Sequence, residues 1–219
     1  MAVINTIEPI VITGSQELIF INQVELNLHF LQKADSVLRV FIYNIHPHDD
    51  NVPAPTFQTS ILCEQQDANC TTEIYSLAYL HQASQSTFNA TVRHQVSGGT
   101  SRQVSRFVLN DQSRGSYAGE VILAPNAQKV DAQQNNRNLL LSDECEMHIK
   151  PCLEIYADDV KASHGTSTGQ LDEQAIFYMQ QRGISFSTAQ KILTQAFMAE
   201  CITPLNDKKK KEEILQMLL

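Results

Sequence analysis

A chain of 219 residues with 16 basic and 24 acidic side chains, net charge −8, has room for a buried core in one domain, or in one domain with a small appendage. The acidic balance excludes a general nucleic-acid binder, which needs a basic stripe. Lys208 to Lys211 run straight into Glu212 and Glu213 and read as a solvated helix face. No window approaches the ~20 apolar residues of a membrane helix, and the opening MAVINTIEPIVITGS has no secretory pattern. The expectation is a cytoplasmic chain with neither a membrane nor a nucleic-acid partner.

The first third is extended. Pro9 to Ile12, Leu18 to Ile21 and Val37 to Tyr43 are rich in β-branched and aromatic residues, as strands are, and Gly14-Ser15 and Asn22-Gln23 punctuate them. Asn44 to Pro55 holds three prolines with His46, His48, Asp49 and Asp50, and reads as an exposed loop. Its histidines and aspartates are either a metal-ligand set or a solvated turn.

From Cys70 to Leu141 strand-like runs centre near Tyr75, Thr91, Arg106, Val121 and Leu139, roughly 15 residues apart. Phe88, Ala90, Val92, His94 and Val96 alternate onto one face. Turn formers separate the runs at Ser97 to Thr100, Asn110 to Gly115 and Ala124 to Ala127, and no helical period is present. Short strands without crossover helices fit a sandwich, a barrel or a stacked solenoid. The amide-rich Gln133 to Asn136 and Asn138 favour the solenoid, where such side chains stack in ladders between rungs.

Five cysteines (Cys63, Cys70, Cys145, Cys152 and Cys201) include no C-x-x-C pair, so a disulfide framework is not expected. Cys145 and Cys152 would lie roughly 23 Å apart on a straight strand, and each reads as a small buried hydrophobe. Leu153 to Ile184 is the chemically densest stretch. An extended run meets a polar turn bearing Asp158, Asp159, Ser163 and His164, and a helix follows. Glu154, Asp158, Asp159 and His164 offer oxygen and imidazole ligands that suit iron or another divalent metal. Adjacent aspartates before a helix equally serve as turn-closing and capping groups.

Three helices close the chain. Asp172 caps the first, which runs through Gln181 and ends at Gly183. The second begins near Ser187, with Ala189, Ile192, Leu193, Ala196 and Phe197 on one face, and stops at Pro204. The third runs from Asp207 to Leu219 with Ile214, Leu215, Leu218 and Leu219 on one side. Packing against the end of the β-structure is the expected use of their apolar faces.

Two long motifs carry a family resemblance. One runs His94-x-x-x-Gly98-Gly99-Thr100-Ser101-x-x-Val104-Ser105-Arg106 and on to Asp111, Ser113, Gly115 and Gly119; the other runs from Ala127 to Ser142. With Pro151-x-Leu153-Glu154-Ile155-x-Ala157-Asp158-Asp159-Val160-Lys161, Ser163-His164-Gly165 and Phe177-Tyr178-x-x-x-Arg182-Gly183-Ile184, the chain resembles the SufB/SufD family of the SUF iron–sulfur cluster assembly system, and SufD more than SufB. The resemblance spans about Thr87 to Cys201. It implies a mainly β fold, a right-handed parallel β-helix over residues 1–156, followed by a junction turn and a short α-helical C-terminal domain over 157–219.

It further implies a non-catalytic scaffold subunit. A SufB-like subunit, or a second copy, would pair through the β-helix. A SufC-like ATPase of the ABC type would dock on the C-terminal helices, where Phe177, Tyr178, Arg182, Ile192 and Phe197 are the expected contacts. His164 matches the histidine that faces the partner beside the site of cluster assembly, with Glu154, Asp158 and Asp159 as its supporting turn. No tightly bound cofactor is expected; iron or a cluster would pass transiently at the partner interface. Ala162 departs from the family, whose SufD members commonly carry a cysteine there. The helical domain that usually precedes the β-helix is also expected to be absent, in a short form or a fragment. The competing readings are a β-solenoid hydrolase or lyase acting on polysaccharide, and a metal-free solenoid interaction module.

Overall fold

The computed structural model describes residues 3–6, 8–46 and 52–218. Thirteen strands precede three helices among them. The strands are β1 (Val3–Asn5), β2 (Ile10–Ile12), β3 (Ser15–Ile21), β4 (Glu25–Gln32), β5 (Val37–Ile45), β6 (Thr56–Gln65), β7 (Thr71–Leu80), β8 (Gln85–His94), β9 (Thr100–Leu109), β10 (Arg114–Leu123), β11 (Asp131–Leu140), β12 (Glu146–Ile155) and β13 (Lys161–Gly169). The helices are α1 (Glu173–Gln180), α2 (Phe186–Ile202) and α3 (Lys208–Met217). From β3 on, strands alternate between two parallel sheets. Sheet A runs β1-β4-β6-β8-β10-β12, with β2 also on β4, and sheet B runs β13-β11-β9-β7-β5-β3. Each residue therefore lies beside the one a full rung away, as Ser76 lies beside Ser105, 29 positions on. The fold is a two-sheet parallel β-solenoid, and the half-rung spacing read from the sequence is its strand-to-strand repeat.

Inward residues of both sheets form the core. Leu26, Leu28 and Phe30 of β4, Phe88, Ala90 and Val92 of β8, and Phe107 and Leu109 of β9 pack in one cluster. Phe88 stacks on Tyr117 of β10 with ring centroids 6.2 Å apart. Each such apolar side chain removed from water stabilises the fold by about 1.5–3 kcal/mol. The corners repeat as regularly as the strands. Asp35, Asn69, Gly98 and Lys129, one per rung, all take positive φ, a conformation that Asn, Asp and Gly tolerate best. Asn69 Nδ2 donates to Asp35 Oδ1 at 3.1 Å, so stacked corners also bond to one another. Gly98 is needed twice over: its φ is +79°, and a Cβ there would meet Asn69 Oδ1 at 2.8 Å.

Several expectations are corrected. β4 and β6 are strands that the sequence reading passed over. Asn44 and Ile45 belong to β5 rather than to an exposed loop; His46 is fully buried, its Nδ1 3.1 Å from the His81 carbonyl. His48, Asp49 and Asp50 lie outside the described residues. Ser163 and His164 stand on a strand rather than in a turn, because β13 pairs with β11 residue for residue. The helices do not cap the end of the solenoid. α2 and α3 lie along the outer face of sheet B, where Met198, Cys201 and Ile202 of α2 and Ile214 of α3 pack on Phe41, Tyr43, Tyr75, Leu77, Val104 and Val108, and α1 packs on α2. The part of that face beneath the helices is largely apolar and would otherwise meet water. Among the described residues no helix is long and apolar enough to cross a membrane.

Candidate functional site

β12 and β13 form the last rung. β13 pairs with β11 on one side only, so its other edge presents unpaired backbone groups. Ala162 is half-buried, packed at the corner formed by Val121, Leu123 and Val130, and the rest of the strand is exposed. Residues in register on a parallel pair share a face, so His164 stands in the inward column of Gln103 and Gln134. Gln103 and Gln134 are buried and His164 is exposed, so the imidazole sits at the open mouth of the solenoid. In that column Gln103 Nε2 donates to the Glu120 carbonyl at 3.2 Å, and farther along β11 Asn138 Nδ2 donates to Asn136 Oδ1 at 2.8 Å and to the Ser167 carbonyl at 3.1 Å. The expected ladder of amides between rungs is not formed: Asn138 bonds to Asn136 of its own strand and to Ser167 and Thr168 of β13, and neither side-chain polar atom of Gln134 has a hydrogen-bond partner among the described residues.

The expected supporting turn does not gather round His164. Asp158 and Asp159 sit at the corner between β12 and β13, where the Asp159 N–H donates to Gln128 Oε1 at 2.9 Å and its carbonyl accepts from the Lys129 N–H at 2.6 Å. The corner is thereby fastened to the rung before it, which is turn chemistry. Glu154 points out from the far face of sheet A, with Glu120 of β10 and Cys152 of β12 as its neighbours. The sequence reading missed Glu120 and took Cys152 for a buried hydrophobe. In fact Cys152 is half-exposed, whereas Cys63, Cys70, Cys145 and Cys201 are buried, and all five are free thiols. The rung period was the missing signal, because it sets Glu120 beside Cys152. Burial pushes the Cys63 and Cys201 thiols up to about 12, so neither is a ready thiolate.

A second exposed surface lies on α1. Asp172 caps the helix, accepting from the Gln174 and Ala175 N–H groups, and Gly183 (φ +81°) follows its C-terminal end. Ile176 anchors the inner side, while Phe177 and Tyr178 are 62% and 58% exposed. Arg182 lies over the Tyr178 ring, 3.3 Å from its centroid, and donates to the Tyr178 carbonyl at 3.1 Å. Phe177, Tyr178 and Arg182 line one shallow depression with Glu173, Gln174 and Gln181. Ile192 on α2 is also exposed. Phe197 is not free in the same way: it is half-buried beneath α2, with the Arg106 guanidinium 5.9 Å from its ring.

A two-sheet parallel solenoid with an open, polar last rung, and with helices laid along one flank, places the chain among the stacked parallel β-proteins. Residues 51–197 match the model of the SufBD core domain of the SUF system of FeS cluster assembly, and the chain belongs to that family. It is 42% identical over 115 residues to the iron–sulfur cluster assembly protein SufD of Escherichia coli, covering 52% of this chain and 27% of that one. It is 31% identical over 154 residues to a SufBD family protein of Synechocystis (70% and 34%), and 40% identical over 105 residues to a chloroplastic protein of Arabidopsis thaliana, ABCI7 (48% and 22%). The matches thus span about a fifth to a third of the length of these curated relatives.

Proposed function

We propose that this chain is a SufD-like, non-catalytic scaffold subunit of an iron–sulfur cluster assembly complex in the cytoplasm. The observation that carries this reading is the exposed last rung. β13 offers a free parallel edge with small polar residues on both faces, suited to a partner strand or a partner solenoid, and it sets His164 at the centre of that surface. A SufB-like subunit or a second copy is the proposed partner there. An imidazole at that place ligates iron or moves a proton near neutral pH, which suits iron or a cluster passing transiently across the interface; no cofactor is held tightly. With Ala162 beside it, this subunit brings the imidazole and no thiol at that position.

The depression on α1 is the proposed dock for a SufC-like ATPase of the ABC type. Exposed aromatic residues and an arginine in one patch are the composition of interface hot spots. ATP hydrolysis by that partner would open the scaffold interface.

The test is a pull-down with the ATPase subunit. Wild type should retain it, and Phe177→Ala/Tyr178→Ala should weaken retention at least tenfold without changing the circular dichroism. Equal retention by both would refute the docking assignment. For the open rung, anaerobic cluster reconstitution with the SufB-like partner should yield less cluster with His164→Ala. An unchanged yield would remove His164 from the proposal.

A further inference from the structure

The outer face of sheet A, on the far side of the solenoid from the helices, carries a thiol and two carboxylates that the proposed function does not use. Glu120 is the direct register partner of Cys152, and Glu154 is the next outward residue along β12. One donor atom from each of Glu120, Cys152 and Glu154 lies within 4.8 Å of the other two, and all three side chains are half-buried. Ligands around a tetrahedral zinc-sized ion stand about 3.3–3.8 Å apart, given bonds of 2.0–2.3 Å. Small rotations about the glutamate side chains close that gap.

Two other carboxylates on this face, Glu64 and Glu146, have basic neighbours, whereas among the described residues Glu25 bonds only to the amides of Asn5 and Asn27. Glu64 has His29 at 3.3 Å and Arg93 at 3.5 Å, and Glu146 has Arg114 at 3.6 Å. Among the described residues, neither Glu120 nor Glu154 has a basic side chain within 4.0 Å. The register thus sets two carboxylates and a thiol side by side with no basic neighbour, an arrangement that a bound cation would complete. Groups outside the trio orient it: Thr91 Oγ1 donates to Glu120 Oε2 at 3.0 Å, and the Tyr156 hydroxyl donates to Glu154 Oε2 at 3.3 Å. Such bonds fix which oxygen is left to face a metal.

We propose that Glu120, Cys152 and Glu154 form a binding site for a divalent transition-metal ion of borderline softness, Zn(II) or Fe(II) in kind. A thiolate with two carboxylates excludes the all-oxygen preference of magnesium and calcium. On binding, the Cys152 thiol gives its proton to solvent and its sulfur bonds the metal. Three protein ligands leave a fourth position open, the arrangement of an exchangeable or reactive ion rather than of a closed structural one. This site is separate from His164 and does not depend on the proposed scaffold role.

The experiment titrates the metal-free whole chain with Co(II) and with Zn(II). Wild type should take up one ion and show the near-ultraviolet absorption of a cobalt–thiolate bond. Cys152→Ser should abolish that absorption. Glu154→Gln should weaken Zn(II) at least tenfold and Thr91→Val roughly tenfold, while His164→Ala changes neither. Zn(II) should also slow alkylation of Cys152 by iodoacetamide at least tenfold. Circular dichroism checks that each variant is folded, and the alkylation test needs no variant. Cobalt–thiolate absorption that survives Cys152→Ser, or a Cys152 alkylation rate indifferent to Zn(II), overturns the site.

Discussion

His94 closes the inner face of β8, its Nε2 2.8 Å from Ser101 Oγ and its other ring nitrogen without a partner. Burial pushes its pKa down to about 4. Between the ordinary value near 6.5 and about 4, the unfolded chain binds a proton that the folded chain refuses, so stability falls as pH falls through that window. The full loss is about 3 kcal/mol, and above pH 7 the residue has no such effect. Urea unfolding at pH 7 and pH 4.5 should therefore show a smaller acid-induced drop in His94→Gln than in wild type; equal drops would mean that the ring is protonated in the folded state. The same residue shows what a motif means. His94 and Gly99 were legible as part of one pattern, but not the cause: a Cβ on Gly99 would lie 2.2 Å from Gln65 Oε1 and 2.7 Å from His94 Nδ1. That contact joins two rungs, and only the stacked structure displays it.

Among the elements, α2 departs furthest from its sequence pattern. Apolar spacing selected Ala189, Ile192, Leu193, Ala196 and Phe197, but the buried face is Ala189, Thr194, Met198, Cys201 and Ile202, and Ile192 is 40% exposed. Polar bonds from the sheet fix the rotation, which a hydrophobic count does not register. The Tyr43 hydroxyl donates to the Cys201 carbonyl at 2.8 Å, and Arg106, 1% exposed, donates to Glu200 on α2 and to Asn135 Oδ1 at 2.7 Å. A buried guanidinium stripped of its carboxylate is costly, whereas removing the guanidinium leaves a carboxylate that can reach water. Glu200→Ala should accordingly destabilise by about 2 kcal/mol, the usual penalty reduced because Glu200 is itself 43% exposed. Arg106→Met, which keeps the packing, should cost less. Denaturant titrations of the two variants give the order, and the reverse order would show that the guanidinium's bonds to Ser105 and Asn135 and its charge beside the Phe197 ring, rather than its pairing with Glu200, seat the helix.

At the scale of the whole molecule, the repeat was legible and the side on which the helices lie was not. Regular strand spacing and turn residues define rungs, whereas the outer face of sheet B looks like any alternating strand until stacking aligns its aromatics. There Phe41 stacks on Tyr75 at 5.0 Å, and Tyr43 and Leu77 lie under the helices. The Glu120–Cys152–Glu154 trio was hidden for the same reason, because it joins residues a full rung apart. A consequence follows for stability. If the helices were an appendage, ending the chain after Ile184 would leave the solenoid intact. Instead α2 and α3 supply one side of a core that includes Phe41, Tyr43, Val104 and Val108, and each large side chain uncovered forfeits about 1.5–3 kcal/mol. The exposed strip would also be a continuous apolar patch beside the already open edge of β13, a combination that favours aggregation. Residues 1–184 should elute from size exclusion as large species, or unfold at a markedly lower temperature than the whole chain. A monodisperse fragment with the wild-type melting temperature would show that the solenoid folds without its helical flank, and would make those helices a docking domain alone.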